Sequence, residues 1–196
     1  QHRGQDAAGI VTCEGDRLTL RKENGLIRDV FNQAQLDGLV GKMGVAHVRY
    51  PTAGSSSSAE AQPMYVNSPF GICMAHNGNL INAGELNENL FRSDRRHINT
   101  SSDSEVLLNV FAHELHDVAG LRLKPDDVFE TVQRVHQRAV GAYAVVTLIT
   151  GYGLVGFRDP NGIRPLVLGQ RTTANGGGYM LASESVARSV SGLELM

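Results

Sequence analysis

The 196-residue chain has no tryptophan and only two cysteines, Cys13 and Cys73. Two cysteines cannot build a disulfide framework, and no CxxC pair offers a zinc site, so a reducing cytoplasm is the expected compartment. No apolar run approaches the roughly 20 residues that a spanning helix needs, so no membrane segment is expected. Neither sign of charge dominates: 18 Lys+Arg stand against 20 Asp+Glu, for a net charge of -2. A surface so balanced sets up no field that would draw in a polyanion, which argues against nucleic acid as a ligand. The chain also opens at Gln1 rather than at a methionine, without a signal-peptide pattern, and stops at Met196 without a closing segment. It is therefore expected to be a piece of a longer protein. What is present is ordinary for a packed domain. Hydrophobic residues make up 41% and the charges are scattered, which excludes a disordered chain. No internal repeat or composition break divides the sequence, so residues 1–196 are treated as one domain.

Short apolar runs at 7–13 and 18–22 flank Glu14, Gly15 and Asp16 and predict a hairpin. A moderate helical pattern covers 29–39, and 43–48 predicts a buried strand. Residues 51–63, with four serines at 55–58, have nothing to bury and predict a mobile loop. A strand over 71–75 is expected to end in a turn at 76–79. The pairs Asn82 with Glu85 and Ser102 with Glu105 have capping-box spacing for two helices, the second carrying Val106, Leu107, Val110, Phe111 and Leu115 on one face. Pro125 opens a third helix, with Val128, Phe129, Val132 and Val135 expected on the core side. From residue 142 the period shifts to strands, at 142–150, 154–158, 166–168 and 179–182. Helices held between groups of strands argue for an α+β fold with mostly antiparallel sheets.

Three signals fail inspection. The glycines Gly151, Gly153 and Gly156 match GxGxxG, but a strand rather than a helix follows them, so a hairpin turn is the better reading. His113 and His116 are three apart, not the four that a zincin helix needs, and read as a solvated helix face. Cys13 and Cys73 sit inside predicted strands and read as small hydrophobes, not nucleophiles.

Four polar segments survive, at 1–6, 47–52, 76–79 and 101–105, each at a strand end or helix start, where a scaffold presents site residues. Arg49 offers a planar fork suited to a carboxylate, or alternatively a structural tie for its loop. Asn77 and Gly78 could offer a side-chain amide and a backbone N–H to one oxyanion, or could be a plain turn. Asp103, near the start of a helix, suits either the macrodipole or a bound ammonium group. Together the three describe a site for a zwitterion with an acyl side chain, of which glutamine is the obvious case. No nucleophile accompanies them.

The words QHRGQDAAGI (1–10), HVRYPTAG (47–54), AHNGNL (75–80), SDSE (102–105), FRDPNGIRPL (157–166) and ASES (182–185) resemble the glutaminase domain of the amidophosphoribosyltransferases over essentially the whole chain. The resemblance implies an N-terminal-nucleophile hydrolase fold, a four-layer αββα sandwich with antiparallel sheets, here without its first strand and helix. It implies that Arg49 and Asp103 bind the backbone groups of glutamine, with Tyr50 and Thr52 in the same substrate site. Asn77 and Gly78 would form the oxyanion hole, Arg3 would support the nucleophile region, and residues 49–60 would be a loop that closes on substrate. The nucleophile itself, an N-terminal cysteine whose α-amine serves as base, is expected to lie outside this chain. So is the phosphoribosyltransferase domain, with the phosphoribosyl pyrophosphate and Mg2+ it would bind. No cofactor is expected within residues 1–196, and an iron–sulfur cluster, found in some members, is left open. The intact enzyme is expected to be a homo-oligomer that begins purine synthesis. Two alternatives stand beside this one: the glutaminase domain of another class II amidotransferase, such as glucosamine-6-phosphate synthase, and a non-catalytic glutamine-binding module. The former lacks the words around Arg49 and Arg164.

Overall fold

Apolar residues on both faces of the first strand decide which surfaces meet. The computed structural model describes residues 4–50, 57–173, 176–185 and 194–195. Strands β1 (Ala7–Glu14) and β2 (Arg17–Asn24) form the expected hairpin, with Gly15 in the left-handed region at φ 61°. Strand β3 (Met43–Arg49) pairs with the other edge of β1, which gives the order β2-β1-β3. A second antiparallel sheet runs β4-β5-β6-β7, from Met64–Val66, Ile72–Leu80, Gly141–Ile149 and Gly153–Arg158. Strands β8 (Val167–Thr173), β9 (Gly176–Ala182) and β10 (Glu194–Leu195) make a third small sheet, with β8 in the middle.

The inward side chains of the first two sheets meet in a core of Val11, Cys13, Val45, Cys73, Ala75 and Leu148. Because side chains alternate, Ala8 and Ile10 face the other way, where Val30 and Phe31 cover them. Those two belong to α1 (Ile27–Val30) and the link to α2 (Gln33–Asp37). The far face of the second sheet carries Ile72, Met74, Tyr143, Val145 and Ile149, buried under α3 (Ala83–Asp94), α4 (Asp103–Val118) and α5 (Pro125–Arg138). Helices, sheet, sheet and helices are the four layers of the expected α+β sandwich. The fully buried Tyr143 anchors the helical side: its hydroxyl lies 2.9 Å from His136 Nδ1, and its ring meets Phe157 edge-on. A buried side chain of that size contributes about 2–3 kcal/mol of hydrophobic stabilisation.

Local structure departs from expectation in several places. The single helix over 29–39 is two, because Phe31 turns extended to bury its ring and Asn32 then starts a new capping box with Gln35. Neither predicted capping box forms. Asn82 bridges the carbonyl of Arg138 and the N–H of Val140, while Glu105 accepts from the N–H groups of Asn99 and Thr100. Ser102 does cap α4, through the N–H of Ser104. On α5, Val128 and Val135 are buried as expected, but Phe129 is 72% exposed. His113 is not freely solvated, since its Nδ1 lies 2.7 Å from an Asp94 carboxylate oxygen. The GxGxxG glycines do form the β6–β7 turn and the β7 strand, and Leu181 packs where a side chain on Gly156 would sit. The residues expected to turn at 76–79 continue β5 in register with β6. Finally, the 57–63 part of the expected mobile loop is not loose: Glu60, Ala61 and Gln62 are buried.

Candidate active site

Arg49 ends β3 on the face that carries Val45, and Asn77 lies on the face of β5 that carries Cys73 and Ala75. Alternation therefore aims both into the space between the two sheets, at one end of the sandwich. Arg49 Nη2 donates to Glu60 Oε2 at 2.7 Å, and Nη1 lies 3.3 Å from Asp6 Oδ2. Its guanidinium, 12% exposed, is thus held by carboxylates from two directions. Glu60 uses its other oxygen to accept from Ser101 Oγ at 2.8 Å, which ties Arg49 to the residues just ahead of α4. Tyr50, next to Arg49, is 67% exposed. Arg3 and Thr52 lie outside the described residues.

Gly78 pairs with Tyr143, and this is a position that only glycine can fill. A Cβ there would stand 2.0 Å from the carbonyl oxygen of Ala142. The strand can therefore hold Asn77 and Gly78 close against β6 only while residue 78 has no side chain. Asp103 opens α4, where a carboxylate suits the helix dipole, and its Oδ2 accepts the N–H of Leu80 at 2.8 Å. That bond sets the helix start beside the end of β5, two residues past Gly78. Asp103 Oδ1 lies 3.8 Å from Nδ1 of His76.

His76 is buried between these groups. Its Nδ1 lies 2.9 Å from Ser104 Oγ, and its backbone N–H donates to Gln62 Oε1 at 2.7 Å. Burial holds its pKa below the ordinary value, Arg164 adds to the lowering, and the carboxylate of Asp103 opposes it. His47, on β3, is pushed down to about 4, first by burial and then by His76 and Arg49. Both imidazoles are neutral near pH 7. Asp159 is also buried. Burial opposes its ionisation, but the N–H groups of Ile163, Arg164, Tyr143 and Asn161 outweigh this and hold its carboxyl below the usual range. In this way the loop after β7 is wrapped around one anion.

Arg49, the Asn77–Gly78 pair and Asp103 are thus joined through Glu60, Ser101, Leu80 and the His76–Ser104 contact. A cation, an amide and an anion are presented on rigid elements. Residues to which the sequence analysis gave no individual role, Glu60, Gln62 and Ser104, do the joining. One signal was there: Glu60 is the only charged residue in a 13-residue stretch, 51–63. Both thiols are remote from this chemistry. Cys73 is fully buried between the sheets, and burial pushes it up to about 12; Cys13 is buried and also raised, by burial and by Asp16.

A fold of this kind with such a site defines a class, and comparison agrees: residues 47–188 match the family described as "Glutamine amidotransferase domain". The chain belongs to that family. Among curated relatives, the amidophosphoribosyltransferase of Pseudomonas aeruginosa is 64% identical and that of Escherichia coli 56% identical, each aligned with the whole of this chain. The chain spans 39% of the length of both relatives. A solved glutamine phosphoribosylpyrophosphate amidotransferase from Bacillus subtilis, complexed with ADP and GMP, superposes on the whole chain with a TM-score of 0.80 at 33% identity. That neighbour supports the N-terminal-nucleophile hydrolase fold.

Proposed function

We propose that residues 1–196 are the glutaminase domain of an amidophosphoribosyltransferase. The observation that carries the reading is the linkage of Arg49, Asn77–Gly78 and Asp103 into one network, in a chain aligned end to end with relatives of that name. Arg49 takes the α-carboxylate of glutamine, and Asp103 takes its α-ammonium group. Asn77 and Gly78 place an amide and a backbone N–H against the side-chain carbonyl oxygen, which becomes negative as the carbon is attacked. Arg3 supports the nucleophile region, and Tyr50 and Thr52 begin the segment that closes over substrate. The attacking group is a cysteine at the mature N-terminus of the complete protein, assisted by its own α-amine, since neither buried thiol of this chain suits the task. Attack forms a carbon–sulfur bond, expulsion of ammonia takes the amine's proton, and water then cleaves the thioester to glutamate.

The ammonia is passed to phosphoribosyl pyrophosphate at a second domain, giving 5-phosphoribosylamine, the first step of purine synthesis. Mg2+ belongs with the pyrophosphate in that domain, and the chemistry proposed at the glutamine site needs no cofactor. The complete enzyme is read as a cytoplasmic homo-oligomer. Among the described residues no helix is long and apolar enough to cross a membrane. The test is to assay the complete protein for phosphoribosylamine with glutamine and, separately, with ammonia. The expected result is synthesis from both. Glutamine hydrolysis with no transfer to phosphoribosyl pyrophosphate would move the chain to another amidotransferase, and no hydrolysis at all would favour a binding module.

A further inference from the structure

We infer that residues 59–62 form the positioning element of this glutamine site, and that Gln62 sets the strand carrying Asn77 and Gly78; this rests on the function proposed above. Strand β4 pairs Met64 with Met74, and continuing that register sets Gln62 opposite His76. The backbone ladder stops short of this point, and a side chain takes it up. Gln62 Oε1 accepts the N–H of His76, a donor that would otherwise be buried without a partner. Gln62 Nε2 donates to Ser104 Oγ at 3.1 Å, and Ser104 Oγ lies 2.9 Å from Nδ1 of the same histidine. The result is a closed triangle. One corner precedes Asn77 in the chain and another follows Asp103, so Gln62 fixes the oxyanion pair relative to the ammonium-binding carboxylate.

Two residues earlier, Glu60 does the equivalent for Arg49, which it holds from one oxygen while the other accepts from Ser101. The segment is itself clamped from outside by Lys22, whose ammonium group donates to the carbonyls of Ala59 and Ala61. From β1 it is approached without hindrance, because a Cβ on Gly9 would stand 2.1 Å from the Gln62 carbonyl oxygen. Glu60 and Gln62 touch no substrate in this reading. They act through the residues that do.

The experiment uses the complete protein, with glutamine-dependent and ammonia-dependent synthesis measured side by side. Gln62→Met keeps the volume and removes both hydrogen bonds. It should lower kcat for glutamine by roughly ten- to a hundredfold, with KM within about threefold and ammonia-dependent synthesis unchanged. Gln62→Glu keeps an acceptor for His76 and should fall between the two. Glu60→Gln should instead raise the glutamine KM with kcat largely kept. Wild-type kcat in Gln62→Met, or equal loss of both activities, would overturn the inference. If Gln62→Met fails to fold, Gln62→Glu decides: reduced kcat at wild-type KM supports the role, and unchanged kcat removes it. A wild-type protein that releases no ammonia from glutamine would instead bring down the proposed function itself.

Discussion

Arg49 and Glu60 stand 11 residues apart in the chain, yet Nη2 of one lies 2.7 Å from Oε2 of the other. The pair pins together the two ends of the segment read as the substrate-closing loop. It also means that a substrate carboxylate entering here shares Arg49 with Glu60 and Asp6. Five donors on a planar fork make that sharing feasible, where a point charge would have to choose.

Arg49→Lys is therefore expected to raise the glutamine KM about tenfold or more, because an ammonium group cannot hold Glu60, Asp6 and a substrate carboxylate at once. Ammonia-dependent synthesis by the complete protein should continue at its normal rate. Steady-state kinetics with each nitrogen source check this. A parallel fall in both would make Arg49 a strut for its loop and nothing more.

Asn77→Ala tests chemistry rather than binding. A donor aimed at a developing oxyanion acts mainly in the transition state, so kcat should fall on the order of a hundredfold while KM moves little. Poorer KM at unchanged kcat would move Asn77 from the oxyanion to the ground-state complex.

The sandwich was legible because its signals are local: the apolar runs of β1 and β3, the apolar face of α4 and Pro125 at the start of α5 each mark an element of the structure, although β3 buries only Val45 where a buried strand was expected. What was not legible depended on partners far along the chain. Asn82 looks like a cap, but residues more than 50 positions away claim its amide. Phe129 has the right spacing for the core, yet α5 meets α4 on a narrower face that stops short of it. The segment 57–63 is poor in apolar residues and reads as loose, but its Glu60 and Gln62 are buried by hydrogen bonds to groups up to 42 residues away. Polar burial of that kind leaves no hydrophobic pattern to find. Arg49 and Asp103 stand out in the sequence because each sits at an element boundary, and Asn77 and Gly78 because they look like a turn, although they lie within β5; the residues that join them carry no such mark.

Acid should unfold the protein earlier than its carboxylates alone would require. His47 has an ordinary pKa of 6.5 and is held at about 4 by burial in the folded chain. Between those values the unfolded state binds a proton that the folded state refuses. The stabilisation is therefore complete above pH 6.5 and is lost as pH falls toward 4, by roughly 3 kcal/mol in all. Buried His76 acts in the same direction. Urea unfolding at pH 7.5, 6 and 5 checks the sign, and His47→Gln should flatten the slope. A wild-type stability that holds level from pH 7 to 5 would mean that His47 accepts its proton within the folded structure.

Neither thiol of this chain is placed to act as a nucleophile. Cys73 lies fully buried between the sheets with its thiol pushed up to about 12, and Cys13 is raised as well, its Sγ 3.4 Å from the carbonyl of Gly15. A thiol attacks as thiolate, and neither is ionised near neutral pH. Replacing both with alanine in the complete protein should leave glutamine kcat within about threefold, at a stability cost of roughly 1 kcal/mol per site from the lost packing. Iodoacetamide should leave both thiols unmodified in the native protein and reach them in urea. For the same reason residues 1–196, expressed alone, should release no ammonia from glutamine, because in the proposed function Arg49, Asn77 and Asp103 orient an amide and none of them attacks it. Steady turnover by that chain, abolished in Cys73→Ala or Cys13→Ala, would place the nucleophile on a strand of the sandwich and end the N-terminal cysteine mechanism for this protein.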